Sequence, residues 1–170
     1  MDRFIEFILQ IWESIVPCTV LDEYERGVVL RWGRFDREIG PGFHWLFPPI
    51  MYRALTEVVV VQPHNLVAQS LTTSDDIPMV ISAVITSRVE NVTKLLLEVE
   101  GREQAISDVT LGVVASCVAK ATYDEVRQDA FRQTVLKEVR RLARKYGVEV
   151  LNVQFSDLQR CRSLRLVQGS

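Results

Sequence analysis

The sequence predicts an α+β domain: an antiparallel-rich sheet, then helices, then one closing strand, with an amphipathic helix in front. Three features predict it. Between Pro78 and Val89, Met79, Ile81, Ala83, Ile85 and Ser87 alternate with Val80, Ser82, Val84, Thr86 and Arg88, which is the period of a strand. From Asn91 onward the apolar spacing becomes helical, with capping signals at Asn91 and Thr122. The strands come in a run before any long helix, which favours segregated strands and helices over alternating βα units.

The first element is Phe4 to Val16. Arg3, Glu6, Gln10, Glu13 and Ser14 make a narrow polar stripe, and Phe4, Ile5, Ile8, Ile11, Trp12 and Ile15 a broad apolar face, widened by Phe7 and Leu9. Pro17 stops the helix. At about 1.5 Å per residue it reaches roughly 20 Å, against a hydrocarbon core of about 30 Å. It is too short to span a bilayer, and with Glu6 and Glu13 in the apolar run it makes a poor signal peptide. It fits an in-plane interfacial helix, or a helix docked on a neighbouring subunit.

Thr19–Glu25 and Gly27–Phe35 read as paired strands of a hairpin. Gly40, Pro41 and Gly42 turn the chain, and Phe43, Trp45, Leu46 and Phe47 follow on a loop stiffened by Pro48 and Pro49. Those apolar residues are either a core plug or a surface wedge. Leu55–Val61 reads as a buried β-branched strand, Leu66–Leu71 as a weaker one, and Thr72–Asp76 as a polar turn. In that turn Asp75 and Asp76 suit capping of backbone amides rather than a catalytic carboxylate pair.

Asn91 is the N-cap of a helix over Val92–Val99, and Gly101 interrupts. Ile106, Val109, Val113, Cys117 and Val118 recur at helical spacing from Arg102 to Lys120. Thr122 with Glu125 has the form of a capping box. It opens one long helix, Tyr123–Tyr146, with Val126, Ala130, Val135, Val139, Leu142 and Tyr146 on its apolar side and Gly147 as its left-handed stop. Val148–Phe155 alternates as a strand, and the polar, basic tail from Asp157 reads as the start of another helix.

In 170 residues the apolar fraction is 48% and the formal net charge −2. No global basic field points to nucleic acid. Cys18, Cys117 and Cys161 are odd in number and widely spaced, which argues against a disulfide framework or a structural zinc site. Cys117, among valines, reads as a buried thiol, and Cys18, after a hydrophobic N-terminus, as a candidate for lipidation. His44 and His64 have no Cys, Asp or Glu at metal-ligand spacing. Nucleophile elbow, phosphate loop and dinucleotide fingerprint are all missing. The expectation is a protein with no catalytic residues, cofactor or metal. The cations Arg127, Arg132, Lys137, Arg140, Arg141, Arg144 and Lys145 lie around the outer faces of the long helix, suited to a neighbouring subunit's acids.

The stretch Tyr24-Glu-Arg-Gly-Val-Val-Leu-Arg-Trp-Gly-Arg-Phe35, followed by Gly40-Pro-Gly-Phe-His-Trp-Leu-Phe-Pro-Pro49, resembles the opening of the SPFH domain shared by stomatins, prohibitins and flotillins. Leu71–Asn91, the Thr122–Tyr146 helix and the Gly147–Phe155 strand are similar to later parts of that domain, in the right order. Coverage is roughly residues 18 to 158. The resemblance implies two subdomains, here 18–90 (β-rich) and 91–158 (α/β), between a leading helix at 1–17 and a tail at 159–170. It also implies a non-enzymatic scaffold, peripheral or monotopic on the cytoplasmic side of a membrane, forming homo-oligomers or rings and holding client proteins. Contacts with the membrane or a docking partner then fall to Phe4, Ile5, Phe7, Ile8, Ile11, Trp12, Ile15, Phe43, Trp45 and Phe47. Self-association falls to Arg127, Arg132, Lys137, Arg140, Arg141 and Arg144. The family's N-terminal membrane segment is usually longer than Phe4–Val16, and its C-terminal coiled coil has no counterpart before Ser170. The expectation is a short, stomatin-like form, or a soluble structural subunit whose N-terminal helix docks on a partner.

Overall fold

A computed structural model describes residues 18–99 and 101–161. The predicted helix Phe4–Val16, with Phe4, Ile5, Phe7, Ile8, Ile11, Trp12 and Ile15, lies outside the described residues.

Among the described residues three antiparallel sheets carry the strands. β1 (Cys18–Leu21) and β4 (Gly42–Trp45) form a two-stranded ribbon. β2 (Glu25–Arg31) lies between β3 (Arg34–Ile39) and β5 (Tyr52–Val58). In the third sheet, β6 (Gln62–Asn65) and β7 (Gln69–Thr72) share one edge of β8 (Pro78–Val89), and β9 (Val148–Arg160) takes the other. Between β8 and β9 come α1 (Val92–Glu98), α2 (Arg102–Val118), the single turn α3 (Tyr123–Val126), α4 (Asp129–Ala143) and a 3₁₀ turn, Arg144–Tyr146.

Sequence and structure agree on the α+β class and on several signals. β8 buries Met79, Ile81, Ala83, Ile85 and Ser87, the face its alternation predicts. Asn91 caps α1, its side-chain oxygen accepting from the Lys94 amide at 2.8 Å. Thr122 and Glu125 form the capping box in both directions.

Five expectations change. The first two strands do not pair: β1 pairs with β4, and the hairpin is β2–β3 around Trp32 and Gly33. Both turn residues have positive φ, the twist a two-residue hairpin needs. Second, Phe43 and Trp45 lie on strand β4 rather than on a loop. Third, the Leu55–Val61 strand is β5, Tyr52–Val58, with Val60 and Val61 exposed beyond it, and the weak strand after it becomes β6 and β7 on either side of buried Leu66. Fourth, the long helix is broken: Gln128 is extended (φ −84°, ψ 148°), so the capping box serves α3 alone. Ala130 is exposed, and Phe131 fills the core position instead. Fifth, β9 runs through Asp157 to Arg160, so the basic tail does not start a helix there.

Two apolar cores result. The larger joins β8 and β9 to the helices through Met79, Ile85, Leu95, Val118, Val135, Val139 and Val153, and reaches back to Leu66. The smaller holds Leu21, Val29, Ile39 and Leu46, with Tyr52 and Ala54 against it. α1 bridges the two, packing on β2 and β5, where the Thr93 hydroxyl donates to the Glu38 carboxylate.

Candidate functional site

The β1–β4 ribbon has two chemically distinct faces. Across the ladder Cys18 stands opposite Trp45, Thr19 opposite His44, Val20 opposite Phe43 and Leu21 opposite Gly42. Successive residues point to opposite sides. Leu21 therefore enters the smaller core, joined by Leu46, which is only 6% exposed. Cys18, Val20, Phe43 and Trp45 share the opposite, outward face. Phe43 is 61% exposed and Trp45 59%, with ring centroids 6.2 Å apart. So the plug and the wedge are different residues of one segment: Leu46 plugs, while Phe43, Trp45 and Phe47 face out. His44 is tied down locally, its Nε2–H donating to the Gly40 carbonyl at 2.6 Å.

Past β4 the chain turns through a cis Phe47–Pro48 bond, and the Met51 amide donates to the Pro48 carbonyl at 3.0 Å. The Met51 carbonyl then accepts from the Trp32 amide at 2.8 Å. This brings exposed Ile50 beside the β2–β3 tip, where Trp32 is 66% exposed. Exposed apolar residues thus recur on the outward face, along the turn and at the hairpin tip. Sequence reasoning finds Phe43, Trp45 and Phe47. It misses Val20, whose direction depends on a pairing no local pattern specifies. It misses Trp32 too, although a Trp-Gly pair at a hairpin position usually held by Asn-Gly is a readable signal.

The helix cations separate into two groups. Lys137, Arg140, Arg141 and Arg144 fall at helical spacing along one side of α4 and the 3₁₀ turn. Arg141 reaches Glu138 at 2.9 Å. Arg140 turns inward: Nε and Nη2 donate to the Val150 and Leu151 carbonyls, each at 2.7 Å. Arg127 and Arg132 lie apart from this row. Arg127 sits over the Tyr123 ring at 5.8 Å, and Arg132 meets Asp129 at 3.6 Å. Cys117 is half-buried rather than fully buried, in a shallow groove with Glu138, Arg141 and Lys120. Burial, then the Glu138 charge, raises its thiol pKa.

Among the described residues no three His, Cys, Asp or Glu side chains come together to hold a metal ion, and no helix is long and apolar enough to cross a membrane. Residues 19–165 match the family described as SPFH domain / Band 7 family. The chain belongs to that family. Among proteins it is similar to, a stomatin homologue of Pyrococcus horikoshii is 26% identical over 90% of this chain and 57% of its own length. An uncharacterised protein of Archaeoglobus fulgidus is 24% identical over 88% of this chain and 61% of its own. A modulator of FtsH protease, HflK, from Escherichia coli is 27% identical over 87% and 36%. This SPFH chain therefore spans about three-fifths of the length of the archaeal relatives and a smaller part of the bacterial one.

Proposed function

We propose that this SPFH chain is a non-enzymatic scaffold unit that seats the outward face of the β1–β4 ribbon on a membrane surface and assembles with copies of itself. The observation that carries this reading is the sorting of one segment, with Leu46 buried in a core while Phe43, Trp45 and Phe47 stand exposed beside Val20. A domain this small has little reason to keep three aromatic side chains in water unless something covers them. Tryptophan suits the lipid interface, having an apolar body and one polar N–H. Full burial of each aromatic is worth about 1.5–3 kcal/mol, so the face alone supports weak, reversible attachment. A stable hold takes a second contact.

The row Lys137, Arg141 and Arg144 offers cations to a neighbouring copy, and a ring of such copies fits the reading. So does a client protein held at the membrane, in keeping with a relative whose name makes it a protease modulator. Free thiols at Cys18, Cys117 and Cys161 suit a reducing, cytoplasmic-side location.

Vesicle flotation of the whole chain beside the Phe43→Ser/Trp45→Ser variant tests the membrane contact. The wild type floats and the variant stays with the soluble fraction. If the wild type also stays behind, the membrane part is wrong. A second reading takes the same face as a protein-docking surface in a soluble particle, and the outward cation row favours it. Mass photometry separates the two, because a discrete assembly that needs no lipid supports the second.

A further inference from the structure

The β2–β3 hairpin tip carries a concentration of positive charge that the fold leaves largely unneutralised. Arg31 stands directly opposite Arg34 on β3 and opposite Tyr52 on β5. Side chains directly opposite share one face of the sheet. Arg37, two ladder pairs along from Arg34 on that side, has its guanidinium carbon 5.9 Å from the Tyr52 ring centre. Arg53 stands opposite Leu30, on the other face of the sheet. Between Leu30 and Arg37 there are three arginines and a single carboxylate, Asp36. Asp36 is taken by Arg37 at 2.6 Å. Among the described residues neither Arg31 nor Arg34 has an ion-pair partner, and both are exposed.

Two features of this tip run against stability. Like charges directly opposite on a ladder repel. Trp32 holds a left-handed backbone (φ 53°), a region disfavoured for bulky side chains. Strained positions concentrate at binding sites. An anion between Arg31 and Arg34 removes the repulsion, and two guanidinium forks suit the oxygens of a phosphodiester. Exposed Trp32 and Ile50 on the same tip select an anion that comes with apolar surroundings.

The geometry points to the β2–β3 tip as a contact for anionic phospholipid headgroups, with Arg31 and Arg34 clasping the phosphate and Trp32 entering the interface beside it. This rests on the membrane reading above and supplies the second contact that the aromatic face lacks. An arginine near an anionic membrane surface strengthens binding about fivefold, so two contribute about 30-fold.

The test compares wild type and Arg31→Gln/Arg34→Gln on phosphatidylcholine vesicles with and without phosphatidylserine. The wild type binds the anionic vesicles more tightly, and high salt erases the difference. The variant loses about 30-fold on anionic vesicles, keeps its phosphatidylcholine binding, and melts no lower than wild type. Equal binding of wild type and variant on both vesicles overturns the headgroup contact and leaves the membrane reading standing. Failure to bind either vesicle sinks both. Saturable binding of glycerol 3-phosphate to the protein in solution reassigns the arginines to a free phosphate and overturns the lipid assignment.

Discussion

A Cβ placed on Gly147 would stand 2.6 Å from the carbonyl oxygen of Asn91. Two parts of the larger core close at this contact. The Gly147 carbonyl accepts from the amides of Glu90 and Asn91 at 2.9 and 3.0 Å, fixing the end of β8 and the cap of α1 to the start of β9. Gly147 also has φ 76°.

Gly147→Ala therefore meets both strain and overlap with backbone that cannot swing aside. The expected loss is about 2–4 kcal/mol, the sum of a left-handed alanine and an overpacked contact. Gly33 has the same φ but nothing within 4 Å of its Cβ position, so Gly33→Ala loses only about 1 kcal/mol. Urea unfolding of the two variants checks the difference. Equal losses would show that the Asn91 contact contributes nothing.

Acidification loosens the junction between the β7–β8 turn and α3. The Asp75 carboxylate accepts from the Thr73 hydroxyl and from the Tyr123 amide, the latter at 3.1 Å. These bonds, the Thr73 one foremost, hold its pKa below the ordinary 3.8. Glu125 is likewise lowered, first by the Thr122 amide. Both pKa values are depressed in the fold, so their stabilisation is complete above the ordinary carboxylate range and is lost as pH falls through the lowered values. Asp75→Ala lowers the melting midpoint at pH 7, and its gap to wild type narrows below about pH 4. A gap that stays constant with pH refutes the assignment.

What was legible in the sequence followed from whether its cause was local. β8 could be read because every second side chain meets the same core, and Asn91, Thr122 and Gly147 because caps act within one turn. The β1–β4 pairing could not be read, since Leu21 is directed by Leu46 and Ile39, far along the chain. The break at Gln128 carries no Gly or Pro, and only the burial of Phe131 and Val126 reveals it. β9 reads from the sequence only to Phe155 because Ser156, the next residue, falls where its register shifts against β8, and such a bulge breaks the period of two. The site was half legible for the same reason. Aromatic residues can be recognised from their chemistry, but the direction each faces depends on distant pairing.

Cys117 reacts slowly. Burial raises its pKa above the ordinary 9.0, and the Glu138 carboxylate raises it further. The thiolate is the reactive form, so alkylation by iodoacetamide reaches half its limiting rate above pH 9. Removing a nearby negative charge favours the thiolate, and Glu138→Gln shifts that midpoint down. A midpoint unmoved by Glu138→Gln excludes the charge as a cause.

Arg140 is expected to matter more to β9 than to any neighbouring copy. Its guanidinium bridges the Val150 and Leu151 carbonyls where the strand bulges. Among the described residues no strand pairs with the outer edge of β9, so the guanidinium satisfies two acceptors on an otherwise open edge. Unpaired edges invite association, and a charged side chain held against one blunts it. Arg140→Ala loses about 1 kcal/mol of stability, the yield of hydrogen bonds from an exposed guanidinium. Arg140→Lys recovers little, because one ammonium cannot match the two-pronged geometry. Lys137→Ala removes a cation from the same helix face without touching these carbonyls and leaves stability within about 0.5 kcal/mol. Urea unfolding of the three variants ranks them, with light scattering reporting self-association of Arg140→Ala. If Lys restores full stability, the bridge acts only through charge and the edge-capping role fails.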